Sequence, residues 1–143
     1  MPTLEQHKIK PSLSHAVKEL LQERQALLAL FCETAGQGES VSQEDRTQKL
    51  QQLCQLLIDY SALWQFEITN LLLDIQEPDS LVQQVLAQSQ PLIMQASAVA
   101  LDFNDDLEAG RLVDHRQLEN KLSLLGESLA ERMEAEDKVI SAL

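Results

Sequence analysis

Residues 50–76 read LQQLCQLLIDYSALWQFEITNLLLDIQ, a run without glycine or proline. Leu50, Leu53, Cys54, Leu57, Ser61, Trp64, Ile68, Leu71, Leu72 and Ile75 recur at steps of three and four. That spacing draws one stripe along a helix turning about 100° per residue, whereas a half-buried strand would alternate every second residue. A second set lies on another side: Leu56, Asp59, Leu63 and Phe66, at i, i+3, i+7 and i+10. A helix that packs on one side alone has no reason to repeat large apolar residues elsewhere. Either another element buries that side, the helix breaks near Ser61, or the side is a docking surface. A single carboxylate ringed by leucine and phenylalanine suits the last, because apolar neighbours exclude water and strengthen a charge pair.

Working outward, the same reading gives three more helices. Upstream, residues 12–35 carry a stripe of Leu13, Val17, Leu20, Leu21, Leu27, Leu28 and Phe31, closed by Gly36-Gln37-Gly38. Ser42 with Asp45 offers the N-cap and first-turn acid of the second helix, and Pro78 stops it. A third begins at Asp79 or Ser80, where Ser80 and Gln83 form a capping-box pattern. Its stripe is Val82, Val85, Leu86, Ile93, Ala96, Ala100, Phe103 and Leu107, and it ends by Gly110. Pro91 inside it predicts a kink or a division, since proline lacks the N–H and crowds the preceding turn. The fourth opens at Asp114 with Gln117 and carries Leu118, Leu122, Leu125, Leu129, Met133, Ile140 and Leu143. The expected fold is all-α, an antiparallel up-down four-helix bundle over residues 12–143, preceded by a flexible arm over residues 1–11.

Two charges fall on the predicted seams. Arg24 is in register with Leu20, Leu27 and Phe31, and Glu136 with Met133 and Ile140. A buried charge is costly unless paired. Either Arg24 and Glu136 form a structural ion pair between the two terminal helices, or both reach solvent at the edge of the seam. Cys32 and Cys54 both lie among apolar residues and form no CxxC, so both are expected to be buried thiols.

Charge is distributed unevenly. The chain of 143 residues has a formal charge of −12, and residues 50–110 contain nine carboxylates and no Lys or Arg. Such a surface repels nucleic acid and membranes; either it attracts a basic surface, of which the face of a DNA-binding protein is a common example, or it is kept acidic for solubility alone. Hydrophobic content of 44% excludes a disordered acidic tail. No apolar run approaches the roughly 18 residues that span a bilayer, and the first residues lack the apolar core of a signal peptide, so a cytoplasmic protein is expected.

Enzyme signatures are missing: the chain has no phosphate-binding glycine loop, no GxSxG and no HExxH. A di-iron bundle needs Glu-x-x-His, but the histidines are His7, His15 and His115, and Leu112 stands three before His115. Neither catalysis, cofactor nor metal is expected.

Four segments carry a resemblance. They are Leu21-Gln22-Glu23-Arg24; Cys54-Gln55-x-Leu57-Ile58-Asp59-Tyr60-Ser61-Ala62 followed by Phe66; Ala100-Leu101-Asp102-Phe103-Asn104-Asp105; and Leu129-x-Glu131-Arg132-x-x-x-Glu136-Asp137-Lys138-Val139-Ile140. In this order they resemble the Rsd/AlgQ family of anti-sigma factors. Trp64-Gln65 stands where the family usually has Gly-His, and Ala16-Val17-Lys18 replaces its tryptophan-bearing opening. The resemblance implies a regulator that binds the primary sigma factor of bacterial RNA polymerase through the domain that recognises the −35 promoter element. It makes Asp59 the key acidic contact, and Leu56, Tyr60, Leu63 and Phe66 complete the expected partner-binding set. The expected protein is a non-enzymatic regulator, monomeric, without direct contact to nucleic acid or membrane. A helical adaptor for another basic or helical partner is the alternative.

Overall fold

The computed structural model describes residues 11–36, 42–75 and 80–143. The predicted arm falls outside them except for Pro11, which opens α1 (Pro11–Ala35). Proline suits the first helical turn, where its missing N–H has no partner to lose. Next come α2 (Gln43–Ala62), a π-helical turn (Leu63–Ile68) and α3 (Thr69–Leu73), which continue one another as a single rod. α4 (Leu81–Glu108) and α5 (His115–Ser141) complete the described elements, and no strand occurs among the described residues. The stops expected at Gln37, Gly38 and Pro78, and the start considered at Asp79, lie outside the described residues.

The caps are side chains that the helix starts require. Ser42 accepts from the Asp45 N–H, Ser80 from the Gln83 N–H, and Asp114 from the Arg116 and Gln117 N–H groups. Gly110 takes a φ of 74° just past α4, a conformation that costs a residue without a side chain little. Pro91 does not divide α4. Pro91 and Ala87, whose carbonyl loses its helical partner, are both exposed, so water can satisfy that carbonyl.

The helices pack in a ring: α1 on α2, α2 on α4, α4 on α5, and α5 back on α1. Arg24 meets Asp137 while Phe31 lies over Gly126, so α1 and α5 run antiparallel. The buried residues form one cluster. The stripes of the second, third and fourth helices lie inside or half inside it, but the first was drawn too wide. Leu21 and Leu28 are exposed, and Ala16 and Leu30 pack in their place. Cys54 is buried as expected, but Cys32 faces solvent, because it lies four residues after Leu28 on the same exposed side of α1. None of the described helices is long and apolar enough to cross a membrane.

Candidate partner-binding surface

The π turn governs what the second helix shows. In a π turn the N–H reaches back five residues rather than four, so the helix widens and its carbonyls partly lose their usual partners. Here Thr69 donates both its backbone N–H and its hydroxyl to the Trp64 carbonyl, the latter at 2.8 Å. Asn70 Nδ2 donates to the Phe66 carbonyl at 2.7 Å. The break expected near Ser61 is therefore this turn, two residues later, and the helix continues through it.

The five expected contact residues separate. Tyr60 is 1% exposed and Leu63 is buried, so neither can face a partner. Tyr60 follows Leu53 and Leu57 at helical spacing and Leu63 follows Tyr60 by three, which turns both inward. Leu56 is half-buried against the core. Asp59 and Phe66 remain outside, with Phe66 67% exposed and Gln55 Nε2 donating to Asp59 Oδ1 at 3.0 Å.

Beneath this surface lies a charged network that ties four helices together. Glu136 of α5 is 0% exposed. Its Oε1 accepts from the Tyr60 hydroxyl and from Arg24 Nη2 (3.2 Å), and its Oε2 from Arg132 Nε (2.9 Å). Arg24 Nε also donates to the Tyr60 hydroxyl and Nη1 to Asp137. Arg132 lies over the Tyr60 ring, 5.2 Å from its centre, and its Nη1 donates to Ser61 of α2 (3.0 Å) and Ser97 of α4 (2.9 Å). Burial, then the Glu136 carboxylate, raises the Tyr60 phenol well above its ordinary value, so Tyr60 keeps its proton and donates. Arg24 and Glu136 are thus joined, but within a larger set in which Arg132 supplies the more deeply buried cation. Sequence reading left Arg132 out of the core. Its spacing of four before Glu136 was the available signal.

Two features of the surface stand out around Asp59. Towards α1, Glu23 keeps one carboxylate oxygen buried without a hydrogen-bond partner. Burial, then Glu19, Asp59 and Glu67, raises its carboxyl above the ordinary value, as expected where carboxylates gather without a cation. Towards α4, an open cleft of about 190 Å³ separates α2 from α4. Ile58, Ala62 and Phe66 form one wall, Ala100 and Leu101 the other, and Ser61 and Ser97 lie in the floor. Cys54 also lines it, and burial, with Glu108 adding, pushes its thiol up to about 11, which keeps it a protonated, unreactive group. No three His, Cys, Asp or Glu among the described residues are placed to hold one metal ion.

An acidic face carrying one exposed aromatic, above a core locked by Arg24, Tyr60, Arg132 and Glu136, is built from the same segments that carried the sequence resemblance. The profile of a family described as Regulator of RNA polymerase sigma(70) subunit, Rsd/AlgQ, matches residues 4–143. The chain belongs to the Rsd/AlgQ family. No curated protein and no solved structure matches the chain. Membership in Rsd/AlgQ makes the chain a regulator that acts on the sigma subunit of RNA polymerase.

Proposed function

We propose that this protein sequesters the primary sigma factor by binding the domain that reads the −35 promoter element, keeping it from core polymerase and promoter. It acts in the cytoplasm, by binding alone and as a monomer, and does not touch DNA. The observation that carries this reading is the exposed pair Asp59 and Phe66 on a helix face without a cation. A sigma domain that binds DNA must present cations to phosphate, and those cations are what such a face attracts. Asp59 receives a basic side chain, while Phe66, with the accessible edge of Leu56, excludes water around the pair.

The test is titration calorimetry of wild type and Asp59→Ala against the isolated sigma domain, with thermal melts of both proteins. Asp59 is exposed and makes one surface hydrogen bond, so stability should change by only about ±0.5 kcal/mol. Binding should weaken by roughly 2–5 kcal/mol, because the cation of the partner would be desolvated and left unpaired. Equal affinities would refute this contact.

A further inference from the structure

The expected contact set lay on one helix, but the cleft beside it lies between two. Its rim is apolar and exposed: Ile58 is 44% exposed, Phe66 67% and Leu101 57%. Ile58 precedes Asp59, Phe66 precedes Glu67, and Leu101 precedes Asp102, so each exposed apolar side chain has a solvent-facing carboxylate as its neighbour in sequence. From residue 50 to residue 110 no Lys or Arg interrupts this field. The floor is fixed, because the Ser61 and Ser97 hydroxyls that open into it both accept from the buried guanidinium of Arg132. At about 190 Å³ the cleft falls below the roughly 300–1,000 Å³ typical of small-molecule sites, and it suits one inserted side chain.

We propose that this α2–α4 cleft is the anchor socket of the sigma interface, receiving one apolar side chain of the sigma domain whose flanking basic residues meet the exposed carboxylates Asp59, Glu67 and Asp102 beside it. The inference rests on the sigma-binding reading and extends it from the second helix to α4. The occupant is fixed by two complementarities at once. An apolar socket selects an apolar side chain, and the acidic surface beside it, where Asp59, Glu67 and Asp102 are exposed, disfavours any occupant that is not basic around that side chain. A second copy of this chain would bring the same acidic surface against itself, so like charges oppose that alternative.

The experiment measures binding of the isolated sigma domain by titration calorimetry to wild type, Ile58→Ala, Leu101→Ala and Asp59→Ala, each checked by thermal melting. Sedimentation of wild type and Leu101→Ala gives the oligomeric state. The rim side chains are largely exposed, so truncation should leave the melts unchanged. Ile58→Ala and Leu101→Ala should each raise Kd about tenfold or more, as expected for side chains packed around an anchor. Leu101→Arg, which places a cation at the mouth, should weaken binding further. If the rim variants bind as wild type while Asp59→Ala fails, the socket is overturned and the sigma-binding reading stands. If wild type itself does not bind the domain, the reading falls and the socket with it. A wild-type dimer that Leu101→Ala dissociates would assign the cleft to a second copy and overturn the proposal.

Discussion

Asp59 and Tyr60 are neighbours in the chain and opposites in the fold. Asp59 is exposed, with a single side-chain hydrogen bond, to Gln55. Tyr60 is sealed beneath α1 and α5, and its hydroxyl accepts a hydrogen bond from Arg24 Nε and donates one to Glu136 Oε1. A turn of about 100° separates a group left exposed to solvent from one whose partners are all within the molecule. Polar residues on one helix thus divide by whether their hydrogen bonds are satisfied within the bundle. Where every donor and acceptor is matched, the side chain holds the bundle together. Where carboxylates gather without cations, as around Glu23 and Asp59, their charge is left unbalanced.

The largest expected effect comes from breaking the sealed side. Glu136→Leu leaves the Arg132 guanidinium buried without its carboxylate, which should cost roughly 3–5 kcal/mol in urea denaturation. Adding Arg132→Leu should cost less than the sum of the two single changes, and strict additivity in that double-mutant cycle would show that the network is not a unit. Tyr60→Phe removes one hydrogen bond to a charged group and should cost about 1.5–3 kcal/mol of stability. Affinity for the sigma domain should stay at the wild-type value. Asp59→Ala should show the reverse pattern, and loss of binding in Tyr60→Phe with an unchanged melt would erase the distinction between the two sides.

The smallest effect sharpens the open side. Glu23 has a carboxyl raised by burial and by Glu19, Asp59 and Glu67, the acidic groups that face it from α1 and from the second helix. A raised carboxyl favours the protonated form in the folded state, so ionised Glu23 opposes folding, and that opposition is relieved as pH falls through its folded value. Glu23→Gln should therefore raise the melting temperature slightly at neutral pH. The gain should vanish as pH drops into the ordinary carboxylate range. A gain independent of pH would mean that Glu23 is not strained by its charge.

Much of this was legible because helices repeat. The core positions of the second, third and fourth helices could be read from spacing alone, as could the caps at Ser42, Ser80 and Asp114. Leu21 and Leu28 misled because a leucine one step off the buried stripe looks like a wider stripe, and only the position of the neighbouring helix decides. Tyr60 joins the expected docking face only with the resemblance, although its spacing of three from Leu57 points inward, while Leu63 lies four after Asp59 and three after Tyr60, so spacing alone leaves its side open. Arg132 stayed hidden because an arginine among leucines reads as a solvent-seeking edge residue until its carboxylate is located. The cleft could not be read at all, since its walls come from segments some forty positions apart in sequence, and no periodicity joins Ile58 to Leu101.

The π turn also gives the second helix a reading frame. It takes up one residue more than an α turn. Ile68 and Leu72 lie in the core beyond it, so the helix absorbs the extra residue and keeps its buried face. Deleting one residue between Leu63 and Ile68 should let the stretch close into an ordinary α turn, with Leu72 and Ile75 still against their neighbours. The same deletion within the regular turns of α2, which hold no spare residue, should swing everything after it off the core, as a frameshift scrambles a message.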